Sequence, residues 1–214
     1  MNVFNTENNK STLSKNFFFL GTLTVIVINV LGFYFFSNSE EFITQYNWKS
    51  VLSFKNLLIH FISAFKHFNL QHLLLNSLCF LIAGAYVERR QGTIGLLFLV
   101  FIFTFYGECV TAANDAGTGG WGFSGVNYSF YSYIIIDFIF SFKQIKANKI
   151  ELIISITVLC LIYLACCFSG GTSKFSFKIY PYDLISNLGH YSAFLSSIVL
   201  SLTIKLSRLK GLNK

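Results

Sequence analysis

Gly119-Gly120-Trp121-Gly122-Phe123-Ser124-Gly125-Val126-Asn127-Tyr128 leads directly into a long apolar segment, Phe130 to Phe142. The first half is too rich in glycine to be a helix interior, and the second half has the composition of a buried helix. A serine therefore sits where an irregular loop becomes a hydrophobic helix. Gly122 and Gly125 bracket it, and residues without a Cβ permit tight turns and close approach of another chain. The first turn of a helix also leaves backbone N–H groups without intrahelical partners. Such donors beside a serine suit a developing oxyanion. The plainer alternative is that Ser124 is an N-cap, a position serine favours.

The rest of the chain decides what kind of helix this is. Of 214 residues, 54% are hydrophobic and only 12% charged. Soluble domains carry about 25% charged residues, so too few charges are present to cover a water-facing surface. The composition indicates an integral membrane protein. Five cysteines, Cys79, Cys109, Cys160, Cys166 and Cys167, lie in or beside apolar stretches with no CxxC pair. They read as buried thiols and not as a disulfide framework or zinc site.

Taken in order, residues 1–16 form a short polar head. Phe17 to Phe36 is an uncharged run of 20 residues, long enough to span a bilayer as a helix and longer than a signal-peptide core. Leu57 to Phe65 is too short to span and suits the interface, as does Trp48. Further spans are expected at about 69–87, 94–113, 124–142, 152–168 and 184–204. Residues 205–214 form a basic tail. The fold class is thus all-α, a polytopic membrane protein with a six-span core over residues 17–204, and no soluble accessory domain is expected in the head or tail. Six spans place both termini on one side. Eleven of the 16 Lys and Arg residues fall on that side: Lys10, Lys15, Arg89, Arg90, Lys143, Lys146, Lys149, Lys205, Arg208, Lys210 and Lys214. The positive-inside rule makes it cytoplasmic. The net charge of +7 is thereby a topology signal, and no nucleic-acid partner is expected.

With this topology, Ser124, His190, His72 and Asn76 each lie a few residues into the membrane from the outer side, on three spans. Polar groups at such positions are costly, so they are candidates for a functional site. His72 and Asn76 are four apart and share a helix face, as do Ser124 and Tyr128. Ala193, Ser197 and Ser201 form a small-residue stripe running from His190, and Gly125, Ser129 and Ser132 offer another on the fourth span. Such stripes let helices pack closely, which would bring Ser124 to His190. The chemistry expected is attack by Ser124 with His190 as general base and then general acid. His72, Asn76 and the Ser124 N–H would serve as oxyanion donors. Asp183 lies seven residues before His190, about 10 Å along an ideal helix. No carboxylate is therefore expected behind the histidine, and the arrangement reads as a dyad.

At these positions the sequence resembles the rhomboid family of intramembrane serine proteases. Gly122-Phe123-Ser124-Gly125 matches its G-x-S-G motif. His67 to Asn76 matches H-x-x-x-x-H-x-x-x-N, and Glu88-Arg89-Arg90-Gln91-Gly92 resembles its E-x-x-x-G. Asn187-Leu188-Gly189-His190 resembles the stretch with the catalytic histidine, and Tyr128 matches a tyrosine packed against it. The resemblance implies a rhomboid-like six-helix bundle with Ser124 and His190 catalytic. It implies oxyanion or substrate stabilisation by His72, Asn76 and Gly122, and support from His67, Tyr128 and Asn187. It also implies single-pass transmembrane substrates cut near their extracytoplasmic end, with no cofactor and no metal. Leu58-Ile59 stand where the family often has a Trp-Arg pair, and Ala193 and Ser197 stand where it has glycines. The loop between the last two spans, with Gly170-Gly171 and Tyr180-Pro181-Tyr182, is long and suits a gate or cap.

A bacterial inner membrane is the expected location. Other readings remain: a sortase-like branch that processes C-terminal anchors, and a catalytically silent relative that binds membrane clients. A transporter would use Glu108 and Asp137, for which no partner is visible in the sequence. A zinc protease would need an HExxH motif, which is missing.

Overall fold

The computed structural model describes residues 19–36, 54–113, 122–170 and 175–211. Within these, helices α1 (Leu20–Phe36), α2 (Phe54–Ser63), α3 (Leu70–Ala113), α4 (Ser124–Ala147) and α5 (Lys149–Cys167) are followed by strands β1 (Phe168–Gly170) and β2 (Phe175–Phe177). Helices α6 (Tyr182–Ser186) and α7 (Leu188–Gly211) complete the order. The head, Trp48, Gly119 to Trp121, the side chain of Glu108 and the side chains of the basic tail beyond Ser207 lie outside the described residues.

Two of the expected spans, 69–87 and 94–113, form one element, α3, interrupted at Gly92 (φ 76, ψ 168). That backbone conformation suits glycine alone, and it separates two helical segments that a Glu-Arg-Arg-Gln rim connects. The apolar part, Leu70–Gly107, has 38 residues. At 1.5 Å per residue that is roughly 57 Å of helix, about twice the hydrocarbon thickness. Lys149–Cys167 is also long and apolar enough to cross a bilayer, while Leu20–Phe36 is apolar but 17 residues long. The expected short segment before the second span appears as α2.

On α1 the burial pattern is inverted relative to a helix of a water-soluble bundle. In α1 the buried positions are Gly21, Thr22, Val25, Asn29 and Gly32, while Leu20, Leu23, Val27, Leu31 and Phe35 face outward. Small and polar residues point in, because between helices in lipid the gain comes from close packing and hydrogen bonds. A Cβ on Gly32 would sit 2.6 Å from the Phe65 carbonyl oxygen. Glu88 holds the start of α1. Its carboxylate accepts from Gly21 N and Thr22 N, both at 2.8 Å, from Thr22 Oγ1 at 2.7 Å and from Thr93 Oγ1 at 2.6 Å. A carboxylate is well matched to the free N–H groups and positive dipole end of a helix.

Helix α4 is the centre. Residues 126 to 134 are all buried, and it packs against α3, α5 and most extensively α7. The small residues Ala193, Ser197 and Ser201 of α7, and Ser129 and Ser132 of α4, are all buried, in keeping with the expected close approach. Rings lock α4 to α3. Phe123 sits 5.4 Å from Phe65 and 5.1 Å from Phe80, and Phe130 contacts Phe80 and Phe103 edge-on at 5.5 and 5.2 Å.

Three expectations are corrected. The stretch Ser169–Tyr182 is not all loop: β1 and β2 pair antiparallel, Phe168 opposite Phe177. Asp137 is not without partners. It is 1% exposed, with Arg90 Nε at 2.5 Å and Lys205 Nζ also paired to it, so α3, α4 and α7 are tied at one ion cluster. The cysteines are all free, as read, but only Cys166 and Cys167 are buried, Cys79 and Cys109 are half-buried and Cys160 is exposed. In an inverted helix an apolar stretch does not imply an interior position for each residue.

Candidate active site

Two asparagines set the two site histidines. Asn69 precedes α3, and its Oδ1 accepts from the backbone N of His72 at 2.8 Å. Asn187 precedes α7, and its Oδ1 accepts from Gly189 N at 3.0 Å and His190 N at 3.2 Å. Both are N-cap interactions, and both place a histidine as the third residue of a helix. Asn187, expected as a supporting residue, therefore lies behind the backbone of His190.

Ser124 is the first residue of α4. Phe123 precedes it as the cap residue and provides no side-chain hydrogen bond. The N-cap reading of Ser124 is thus not what the structure has. Instead Ser124 Oγ lies 2.8 Å from His190 Nε2, within reach for proton transfer. The ring of Tyr128, one turn on, stacks on His190 at 4.4 Å between centroids and 23° between planes.

Gly122 has φ +113, a conformation that a side chain would strain. Its missing Cβ would lie 2.5 Å from His72 Cε1 and 3.4 Å from Asn76 Nδ2. His72, Asn76 and Gly122 are therefore brought together two residues from the serine. Asn76 Nδ2 is buried and without a partner among the described residues, although buried polar groups are normally satisfied. A donor held ready in this way is what oxyanion binding needs. A Cβ on Gly125, the other flanking glycine, would meet nothing within 4 Å among the described residues, so the close approach expected of both glycines holds only for Gly122.

His67 is fully buried and donates from Nδ1 to the Phe65 carbonyl at 3.1 Å. Its ring meets that of His72 edge-on at 5.1 Å, so it backs the second histidine and stands apart from the serine.

Two residues near the site escape the sequence reading. Asn127 donates from Nδ2 to the Asn76 carbonyl at 3.1 Å and to Asn76 Oδ1 at 3.2 Å. Holding the oxygen end of that amide turns its NH2 end the other way. The signal is present, as a polar residue inside an apolar run, but a helix wheel gives no partner for it. Asp183 is the second, and here an expectation fails. Its Oδ2 lies 3.0 Å from His190 Nδ1. The 10 Å estimate assumes one continuous helix, whereas the chain is extended at Asn187 (φ −103, ψ 107). That break returns α6 toward the start of α7. Tyr128 Oη donates to the same Oδ2 at 2.8 Å.

Among curated proteins none matches the chain. Residues 55–207 match the family model described as Rhomboid domain, an interval that holds His67, His72, Asn76, Ser124 and His190 and most of the chain. A helical polytopic membrane architecture follows from that membership, and this chain belongs to the rhomboid family.

Proposed function

We propose that the protein is a serine intramembrane endopeptidase that cuts transmembrane segments of single-pass proteins near their extracytoplasmic end. The observation that supports it most is the 2.8 Å contact between Ser124 Oγ and His190 Nε2, beside the Asn76 donor that has no partner among the described residues. In this reading Ser124 Oγ attacks the scissile carbonyl carbon. Its proton passes to His190 Nε2 as the carbonyl π pair moves onto oxygen. That oxyanion is met by donors from His72 and Asn76 and by the Ser124 N–H, with room left by Gly122. The C–N bond then breaks, and the proton on Nε2 goes to the leaving amine. Water repeats the sequence and frees the serine. The bundle has six spans, and both termini face the cytoplasm of a bacterial inner membrane.

The test is cleavage of a reporter transmembrane substrate in liposomes by wild type, Ser124→Ala and His190→Ala. Cleavage by wild type alone is expected, together with fluorophosphonate labelling that requires Ser124. Full cleavage by Ser124→Ala would sink the mechanism.

A further inference from the structure

We propose that Asp183 is a positioning residue for His190, making a Ser124–His190–Asp183 arrangement in place of a bare dyad. This rests on the protease reading above and deepens it.

The geometry carries the inference. Asp183 Oδ2 is 3.0 Å from His190 Nδ1, and His190 Nε2 is 2.8 Å from Ser124 Oγ. The three groups therefore lie in chemical series through opposite nitrogens of one ring. An acceptor at Nδ1 selects the tautomer with its proton there, which leaves a lone pair on Nε2 for the serine proton. The carboxylate also stabilises the imidazolium formed when Ser124 gives up that proton, and it takes no proton itself.

The surroundings keep the carboxylate in place. Tyr128 Oη donates to Oδ2 at 2.8 Å, and the Tyr128 ring stacks on the imidazole. One tyrosine thus touches both partners of the pair, fixing the ring plane and the acid together. Asp183 and His190 side chains are 22% and 14% exposed, so water screens the pair only in part. Burial works against the Asp183 charge, but the close contact with His190 and the hydrogen bond from Tyr128 outweigh it and hold this carboxyl below the ordinary range. The acid is ionised at neutral pH, as the role requires.

The discriminating variant is Asp183→Asn in the full chain. It keeps the shape and an oxygen for Tyr128 but replaces the charge, and its NH2 can face Nδ1. Measurements are kcat and KM on the reporter, the rate of fluorophosphonate labelling of Ser124 per labelled site, and Tm. The corresponding change in a Ser-His-Asp triad lowers kcat by about 10⁴. Here, with a partly exposed acid, the expected fall in kcat and labelling rate is at least about tenfold. KM is expected to stay close to wild type, Tm to fall by no more than a few degrees as the Asp183 charge is lost, and Asp183→Glu should recover part of the labelling rate. If the rate per labelled site in Asp183→Asn stays within about threefold of wild type, Asp183 does not act through His190 and the proposal is overturned, whatever happens to Tm. Cleavage that survives in Ser124→Ala would instead remove the protease reading itself, a result independent of any Asp183 variant.

Discussion

A methyl group placed on Gly122 would stand 2.5 Å from His72 Cε1 and 2.9 Å from its Nε2. Real Cβ atoms do not approach so closely, and the backbone at φ +113 already disfavours a side chain. Gly122→Ala must therefore push His72 away from its place or twist the loop that presents Ser124. Loss of one oxyanion donor costs on the order of 10²–10³ in rate. That loss is expected in kcat for Gly122→Ala, with intact folding by thermal melting. A kcat within about threefold of wild type would mean that His72 is not needed where it stands.

Asn127 supplies a second test of the same pocket. Its amide holds both the carbonyl and the Oδ1 of Asn76. Asn127→Leu keeps the volume and removes both donors. The Asn76 amide is then free to turn, and its NH2 no longer has a fixed direction. Expected is a kcat lower by about tenfold to 10²-fold, less than for removal of Asn76 itself. Stability should fall by about 1–3 kcal/mol, since buried acceptors lose their partners. Equal kcat values for Asn127→Leu and wild type would assign Asn127 to packing alone.

How much of this is legible in the sequence depends on the distance over which the physics acts. Ser124 at a loop-to-helix junction and the small stripe of α7 are local patterns, and both lie where helix geometry puts them. His72 and Asn76 share a face because four residues are about one turn. Asp183 escapes because one extended residue, Asn187, turns a separation of about 10 Å on an ideal helix into a contact, and a cap is visible only when the helix start is known. The partners of Asp137 are hidden for a different reason. Arg90 and Lys205 are 47 and 68 positions away, and no periodicity links them. The hairpin of β1 and β2 is silent in the sequence, since two strands of three residues leave almost no alternation to read.

The Asp183 carboxyl also predicts a pH signature in stability. The titratable groups that act on it most are His190, Tyr128 and His72, and Tyr131, Cys79 and Cys166 also lie within its field. Its value in the folded chain is lowered, so its contribution is fully present above the ordinary carboxylate value and is lost as pH falls through the folded value. The Tm difference between wild type and Asp183→Asn is expected to be constant at neutral pH and to shrink in the acid range below about pH 4. A difference that grows on acidification would give the pairing the wrong sign.

Asp137 separates a structural carboxylate from a transport one. It is buried with Arg90 and Lys205 against it, and Arg90 also lies 3.8 Å from Glu151, which pairs in turn with Arg89. Four helical elements meet in that cluster. Removing the central acid leaves two cations facing each other without compensation, a change that costs about 3–5 kcal/mol in buried pairs. For a chain of this size, Asp137→Ala is expected to lower Tm by roughly 6–20 °C. The fluorophosphonate labelling rate per folded molecule should remain at the wild-type value, because the cluster lies more than three helical turns along α4 from Ser124. Proton flux into liposomes that wild type carries and Asp137→Ala abolishes would reverse that assignment and make the carboxylate part of a conduction path.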